Sequence, residues 1–119
     1  MFSVGIDAVE IERIREAMKN PRFITRIFSE RERYETGRKA NAAQSFAANW
    51  AAKEAFAKAV GTGIRGFSMN EVSVLHKENG KPYIELSGRA EKLFSGYMLD
   101  ISLTHTDSVA MAAVIAWKR

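Results

Sequence analysis

The chain has 119 residues, 46% hydrophobic and 27% charged, a balance that fits one globular domain over residues 1–119 and argues against disorder. It has no cysteine, which excludes disulfides and thiolate metal sites and suits a reducing compartment. The net charge is +4, yet Arg13 to Lys39 alone carries nine basic and four acidic residues, so the positive charge is concentrated rather than spread. The opening MFSVGIDAVE is too short and too acidic for a signal peptide, and no apolar run approaches a membrane span. A soluble cytoplasmic protein is the expectation.

Phe2 to Asp7 reads as a short strand, with Val4 and Ile6 on one face and Asp7 at its end. Val9 to Met18 reads as a helix whose Val9, Ile11, Ile14 and Met18 lie near one face, ended by Asn20-Pro21. Arg22 to Phe28 forms another short helical piece, and Ser29 with Glu32 fits a capping box opening the next one. Ala42 to Val60 is alanine-rich with no Gly or Pro before Gly61, which predicts a long helix. Glu71 to His76 alternates as a strand, and Asn79-Gly80 is a hairpin turn into Pro82 to Leu86. Ser87 to Phe94 is the last predicted helix, and Leu99 to Thr104 with Val109 to Trp117 is a closing hairpin. The final strand, VAMAAVIAW, lacks polar alternation, so both faces should be covered, by the core or by a neighbouring subunit. With no regular βαβ rhythm, the expected fold class is α+β, a mainly antiparallel sheet packed against the long alanine-rich helix.

Several polar residues interrupt these elements. The alanine helix carries Lys53, Glu54 and Lys58. Glu54 and Lys58 are four apart and share a face, as a solvated surface pair or as part of a site. Gly61-Thr62-Gly63 follows at once, as a helix C-cap or as a loop whose amides meet a phosphate. Asp7 fits either a carboxylate at the rim of a sheet or the N-cap of a segment starting at Ala8. Thr104-His105-Thr106 ends a strand in a polar cluster, where a histidine serves as a turn residue or a phosphate contact. Taken together, two carboxylates for a hard cation, a lysine and a histidine for phosphate charge, and a glycine loop suit Mg²⁺-assisted chemistry on a phosphate ester or anhydride. The basic stretch fits an ordinary solvated helical surface or a partner that is a polyanion.

GIDAVEIERI, WAAKEAFAKAVGTGI, NGKPYIEL and ISLTHT occur in that order over nearly the whole chain. Together they resemble the bacterial holo-[acyl-carrier-protein] synthases, a group of 4′-phosphopantetheinyl transferases. The resemblance implies transfer of phosphopantetheine from coenzyme A to a serine of an acidic acyl carrier protein, releasing adenosine 3′,5′-bisphosphate. It implies that Asp7 of GxD and Glu54 of KEA bind Mg²⁺, with Glu54 also the candidate base, and that Lys58 contacts coenzyme A phosphate and steadies the developing charge. Gly61, Gly63, Lys81, Pro82 and His105 are implied at the nucleotide end. Arg13, Arg22 and Phe23, with Arg26 beside them, match the places where the family docks its carrier. The family is also a homotrimer with sites between adjacent subunits. One departure is visible: family members commonly have Gly-Arg-Phe where this chain has Ala48-Asn49-Trp50, so Asn49 removes a cation expected near the substrates.

Two rival readings remain at this level. A non-catalytic basic module for an acidic protein or nucleic acid explains Arg13 to Lys39 but not Asp7, Glu54, Lys58 and the glycine loop. Its nucleic-acid form wants aromatics interleaved with the basic residues, and Phe23, Phe28 and Tyr34 are thin support. A Mg²⁺-dependent phosphohydrolase shares the ligands but lacks an evident nucleophile or second-metal cluster.

Overall fold

The computed structural model describes residues 1–63 and 65–119; Ile64, which closes the WAAKEAFAKAVGTGI element, is not among them. In chain order the elements are β1 (Phe2–Glu10), α1 (Ile11–Ala17), α2 (Pro21–Ile27), α3 (Glu30–Gly37) and α4 (Ala42–Val60). A 3₁₀ turn (Met69–Glu71), β2 (Val72–His76), β3 (Pro82–Leu86), α5 (Gly88–Phe94), β4 (Tyr97–His105) and β5 (Val109–Lys118) follow. Every strand pairing is antiparallel: one sheet has the order β1-β5-β4, and β2-β3 forms a separate hairpin. The α+β class and the packing of the alanine-rich helix on an antiparallel sheet are as the sequence predicts, and α4 has the predicted bounds.

The start of the chain differs. β1 continues through Glu10, and α1 begins only at Ile11, so Asp7 lies within the strand and neither ends it nor caps a helix. Tertiary pairing overrides the local helical pattern: Val9 sits opposite Ala110 in the sheet and is buried as a strand residue. The Ile11 N–H that opens α1 goes to Ser108 O at 2.8 Å, and Glu10 supplies no side-chain cap.

Alternation along β1 sends Gly5, Asp7 and Val9 toward α4 and leaves Phe2, Val4 and Ile6 on the far face, 69%, 62% and 65% exposed. β5 alternates likewise. Ala110, Ala112, Val114 and Ala116 are buried against α4, whereas Met111 and Ile115 stay open. Within the chain, therefore, the core covers one face of the last strand and leaves Met111 and Ile115 open on the other, the face for which a neighbouring subunit is the expected cover.

Two packing features set the position of α4. A Cβ built on Gly5 would stand 1.9 Å from Ala55 O and 2.7 Å from Ala59 N, so β1 and α4 meet backbone to backbone. Ala51, Ala55 and Ala59 are buried, small residues that permit this approach. On its other side α4 buries a polar cluster. Lys53 and Glu32 have no exposed side-chain surface, and their Nζ and Oε1 lie 2.6 Å apart. Ser29 and Glu32 do form the predicted capping box: Glu32 N donates to Ser29 Oγ at 3.2 Å and Ser29 N donates to Glu32 Oε1 at 3.0 Å. Burial pulls the Lys53 ammonium below the usual lysine range, against the pull of Glu32.

A methyl group at Gly5 meets backbone, which no rotamer change relieves. Gly5→Ala is expected to cost about 3 kcal/mol or more, at the upper end for an overpacked core site, read as a lower urea midpoint. An unchanged midpoint would mean that β1 and α4 are not in this contact.

Candidate active site

Because Asp7 shares the inward parity of Gly5, the close β1–α4 contact brings its carboxylate to the helix. Lys58 Nζ lies 3.3 Å from Asp7 Oδ1 and donates to Ile6 O at 2.9 Å. The Asp7 side chain is 19% exposed and that of Lys58 is 56% exposed, so the pair sits at the mouth of a recess, not in the core. β1 ends the sheet, and the Lys58 ammonium thus binds a carbonyl on the strand's unpaired edge as well as the acid.

Glu54, one turn before Lys58, does not pair with it as the i,i+4 spacing alone predicts; Lys58 turns to β1 instead. Glu54 has no ion-pair partner among the described residues. Burial and the Asp7 charge push its carboxyl above the usual carboxylate range, while Lys58 and Arg13 pull it down. Two carboxylates are therefore held close enough to repel each other, with a lysine and an arginine around them. Such a donor set, two hard oxygen ligands with room for others, fits a divalent cation bound by phosphate and water. Among the described residues, His, Cys, Asp and Glu side chains form no group of three or more that could hold a metal ion.

A trough of about 390 Å³ begins at Asp7 and Lys58 and runs over the open sheet face past Ile6, Thr104 and Met111. Thr104 also borders a second cavity of about 190 Å³ that holds Lys39, His76 and His105. The strand end bearing His105 thus joins the two recesses into one surface. His76 Nδ1 is 2.8 Å from Glu35 Oε1.

Other expected positions fall apart from this surface. Lys81 Nζ pairs with Asp100 Oδ1 at 3.0 Å, and neither Lys81 nor Pro82 lines the trough or the His105 cavity. Gly61 caps α4 in the left-handed region, φ 80°, with its N–H bonded to Ala57 O and Lys58 O, so that amide is already satisfied by the helix. Gly61 borders a separate cavity with Thr62, Arg65 and Leu93, and Gly63 also has positive φ, 60°. Asn49 is 1% exposed and its amide bonds inward to Glu32 Oε2, Thr36 Oγ1 and Val74 O, so it forms part of the floor of the His105 cavity with its polar group turned to the core.

Arg13 is exposed on α1, and Arg22 and Arg26 are exposed on α2. Their basic neighbours Arg15, Lys19 and Arg31 are paired with Glu12, Glu16 and Glu85, whereas Arg13, Arg22 and Arg26 have no ion pair among the described residues. Phe23 is half-buried, stacked near Phe28 and Trp50 at 6.0 and 5.8 Å between ring centroids. What sequence reasoning missed is the joint burial of Glu32, Asn49 and Lys53: the capping-box pattern located Glu32 and the motif comparison singled out Asn49, but neither gave a sign that Glu32 meets Asn49 and Lys53, 17 and 21 positions away.

The sequence model of the 4′-phosphopantetheinyl transferase superfamily matches residues 3–114. The holo-[acyl-carrier-protein] synthase of Clostridium botulinum (strain Eklund 17B / Type B) is 45% identical over 116 residues, covering 94% of each chain. The synthase of Caldanaerobacter subterraneus subsp. tengcongensis is 39% identical over 95% of this chain and 92% of its own. Among solved structures, the holo-[acyl-carrier-protein] synthase of Neisseria meningitidis superposes with a TM-score of 0.90 at 33% identity, covering 98% of both chains. That of Bacillus anthracis, solved in complex with CoA (3′,5′-ADP), gives a TM-score of 0.84 at 30% identity over 98% of this chain and 96% of that one. Fold, motif order and match length agree: the chain belongs to the 4′-phosphopantetheinyl transferase superfamily, in its holo-[acyl-carrier-protein] synthase branch.

Proposed function

We propose that this enzyme transfers 4′-phosphopantetheine from coenzyme A to a serine of apo acyl carrier protein, with Asp7 and Glu54 holding Mg²⁺. The observation that carries the reading is the juxtaposition of two carboxylates with Lys58 at the mouth of a trough, in a chain whose relatives are synthases of this type. In the transfer, the serine oxygen forms a bond to the β-phosphorus of the coenzyme A pyrophosphate. The bond from that phosphorus to the bridging oxygen breaks, and adenosine 3′,5′-bisphosphate leaves. Asp7 and Glu54 would hold Mg²⁺, which when bound would neutralise charge on the phosphoryl group under attack and on the departing nucleotide.

The chain's own groups divide the remaining work. Glu54, whose carboxyl burial and Asp7 hold above the usual carboxylate range, is suited to take the serine proton. Lys58, fixed by Ile6 O and Asp7, presents an ammonium to the phosphate charge. His105 and Lys39 offer cationic or hydrogen-bonding groups in the adjoining cavity for the nucleotide end. Arg13, Arg22 and Arg26, left without carboxylate partners, give an acidic carrier a charged landing surface beside Phe23. Arg13 belongs to both settings, since it also acts on Glu54.

The open sheet face completes the reading. Phe2, Val4, Ile6, Met98, Met111 and Ile115 leave exposed apolar surface there, and the trough crosses it. A second copy packed on that face buries this surface and walls the trough, which supports a homotrimer with sites between subunits.

Incubating the protein with coenzyme A, Mg²⁺ and apo carrier should raise the carrier's mass by one phosphopantetheine. Coenzyme A breakdown with unmodified carrier means hydrolysis, and binding with no mass change means a docking module. Asp7→Asn and Glu54→Gln should each lower turnover by about a hundredfold or more. A carboxyl raised above its unfolded value binds protons better in the folded state, so its contribution to stability declines as pH rises through the raised value. Glu54→Gln removes that decline, and its Tm at neutral pH without metal is expected to match or exceed the parent's. A lower Tm assigns Glu54 to the fold instead. Arg22→Glu should raise the KM for carrier about three- to tenfold, leaving that for coenzyme A unchanged; equal effects on both would remove α2 from carrier docking. Sedimentation equilibrium should return three times the chain mass, and a monomer at working concentration contradicts the shared-site arrangement.

A further inference from the structure

Among the described residues four polar side chains are almost wholly buried: Glu32, Lys53, Asn49 and Thr36, at 0%, 0%, 1% and 1% exposure. Lys53 Nζ has three protons and meets three acceptors, Glu32 Oε1 at 2.6 Å, Val72 O at 2.5 Å and Met69 O at 2.9 Å. Asn49 Nδ2 lies 3.2 Å from Glu32 Oε2 and 3.3 Å from both Val74 O and Thr36 Oγ1. One carboxylate therefore joins α3 to two residues of α4, and those two residues reach the backbone of β2.

The spacing matches along both elements. Asn49 and Lys53 are one turn apart on α4, an axial rise of about 6 Å. Val72 and Val74 are alternate residues of β2, whose carbonyls repeat at about 6.7 Å. β2 pairs only with β3, and α4 thus fills acceptors on its unpaired edge with two teeth at the strand's own repeat. A slip of α4 by one residue along β2, about 1.5 Å with a 100° rotation, takes both teeth out of reach and strands a buried charge.

Apolar side chains of similar volume hold two elements together at least as firmly as a buried ion pair does, but they tolerate small slips. What the polar cluster adds is a single setting. We propose that Glu32, Lys53 and Asn49 are positioning residues, a register lock between α4 and β2 that fixes where Glu54, the next residue along the helix, faces Asp7. The proposal rests on the reading that Asp7 and Glu54 share Mg²⁺. Glu32 and Lys53 have no exposed surface and the Asn49 amide is turned inward, so on this proposal they act through Glu54.

The test replaces the ion pair by apolar groups in the full-length enzyme, Glu32→Leu with Lys53→Met, and measures transfer at a temperature where circular dichroism shows the variant folded. The expected result is a variant still folded at the assay temperature, with a Tm lowered because Met69 O, Val72 O and the Ser29 N–H lose their partners. With it come a kcat lower by about tenfold or more, a near-parental KM for coenzyme A, and a severalfold higher Mg²⁺ concentration at half-maximal rate. A cluster that only fills the core leaves the Mg²⁺ requirement unmoved in this variant, and an unchanged kcat or an unchanged Mg²⁺ requirement overturns the proposal. Asn49→Ser, which removes one tooth and keeps the ion pair, should shift kcat and the Mg²⁺ requirement in the same direction by a smaller factor; it decides the question alone if the double variant does not fold. Asp7→Asn separates the two levels. If it stays active, the shared-metal reading has failed; if it is inactive while both lock variants behave like the parent, only the lock has failed.

Discussion

Backbone contact between Gly5 of β1 and the Ala55–Ala59 turn of α4 is the constraint on which the rest of the molecule depends. Any side chain at residue 5 would overlap a carbonyl oxygen, so the two elements come as near as peptide groups allow. Asp7, two residues on and facing the same way, is thereby carried to within reach of Lys58 and into the electrostatic field of Glu54. Had the strand stood off by the width of a methyl group, the same residues would occupy the same elements without converging. The site is a consequence of how closely a strand and a helix pack, and only then of which acids they bear.

α4 is held from two sides by different chemistry. Toward the three-stranded sheet it presents alanine and permits approach; toward β2 and α3 it presents Lys53 and Asn49 and permits one register. Small apolar residues set the distance, and buried polar ones set the rotation and axial position. Glu54 lies between these two faces, half-buried, where desolvation and a like charge raise its pKa. A carboxyl raised in this way costs stability in the free protein once ionised, and a cation bound beside it would offset that cost.

Much of this was legible in the residues. The bounds of the long helix followed from its alanine content and from Gly61, and Asn79-Gly80 announced the β2–β3 turn, where Gly80 indeed has φ 88°. Ser29 and Glu32 form the capping box that their spacing implies. The pairing of Asp7 with the alanine helix was legible only through the resemblance to known synthases, since nothing local in GIDAVE says which face of a strand meets which helix. The strand's true length was hidden because Val9 to Met18 also satisfies a helical period, and only pairing with Ala110 decides between them. Glu32 was read as a local cap because its second role depends on Lys53, far along the chain. Lys81, implied at the nucleotide end by its motif, pairs in this chain with Asp100 on the surface, a contact no local pattern announces. The unbroken apolar run of β5 implies a cover on each face; the fold supplies the inner one, and Met111 and Ile115 stay open on the outer face.

The claim most exposed to test is that the strand acid and the helix acid hold one cation in common. Crystals grown with coenzyme A and with Mn²⁺ in place of Mg²⁺, measured for anomalous scattering, address it directly. The account predicts a single strong peak about 2.2 Å from a carboxylate oxygen of Asp7 and from one of Glu54, with a coenzyme A phosphate oxygen also bound. A peak contacted by only one of the two acids, or lying away from both, contradicts it.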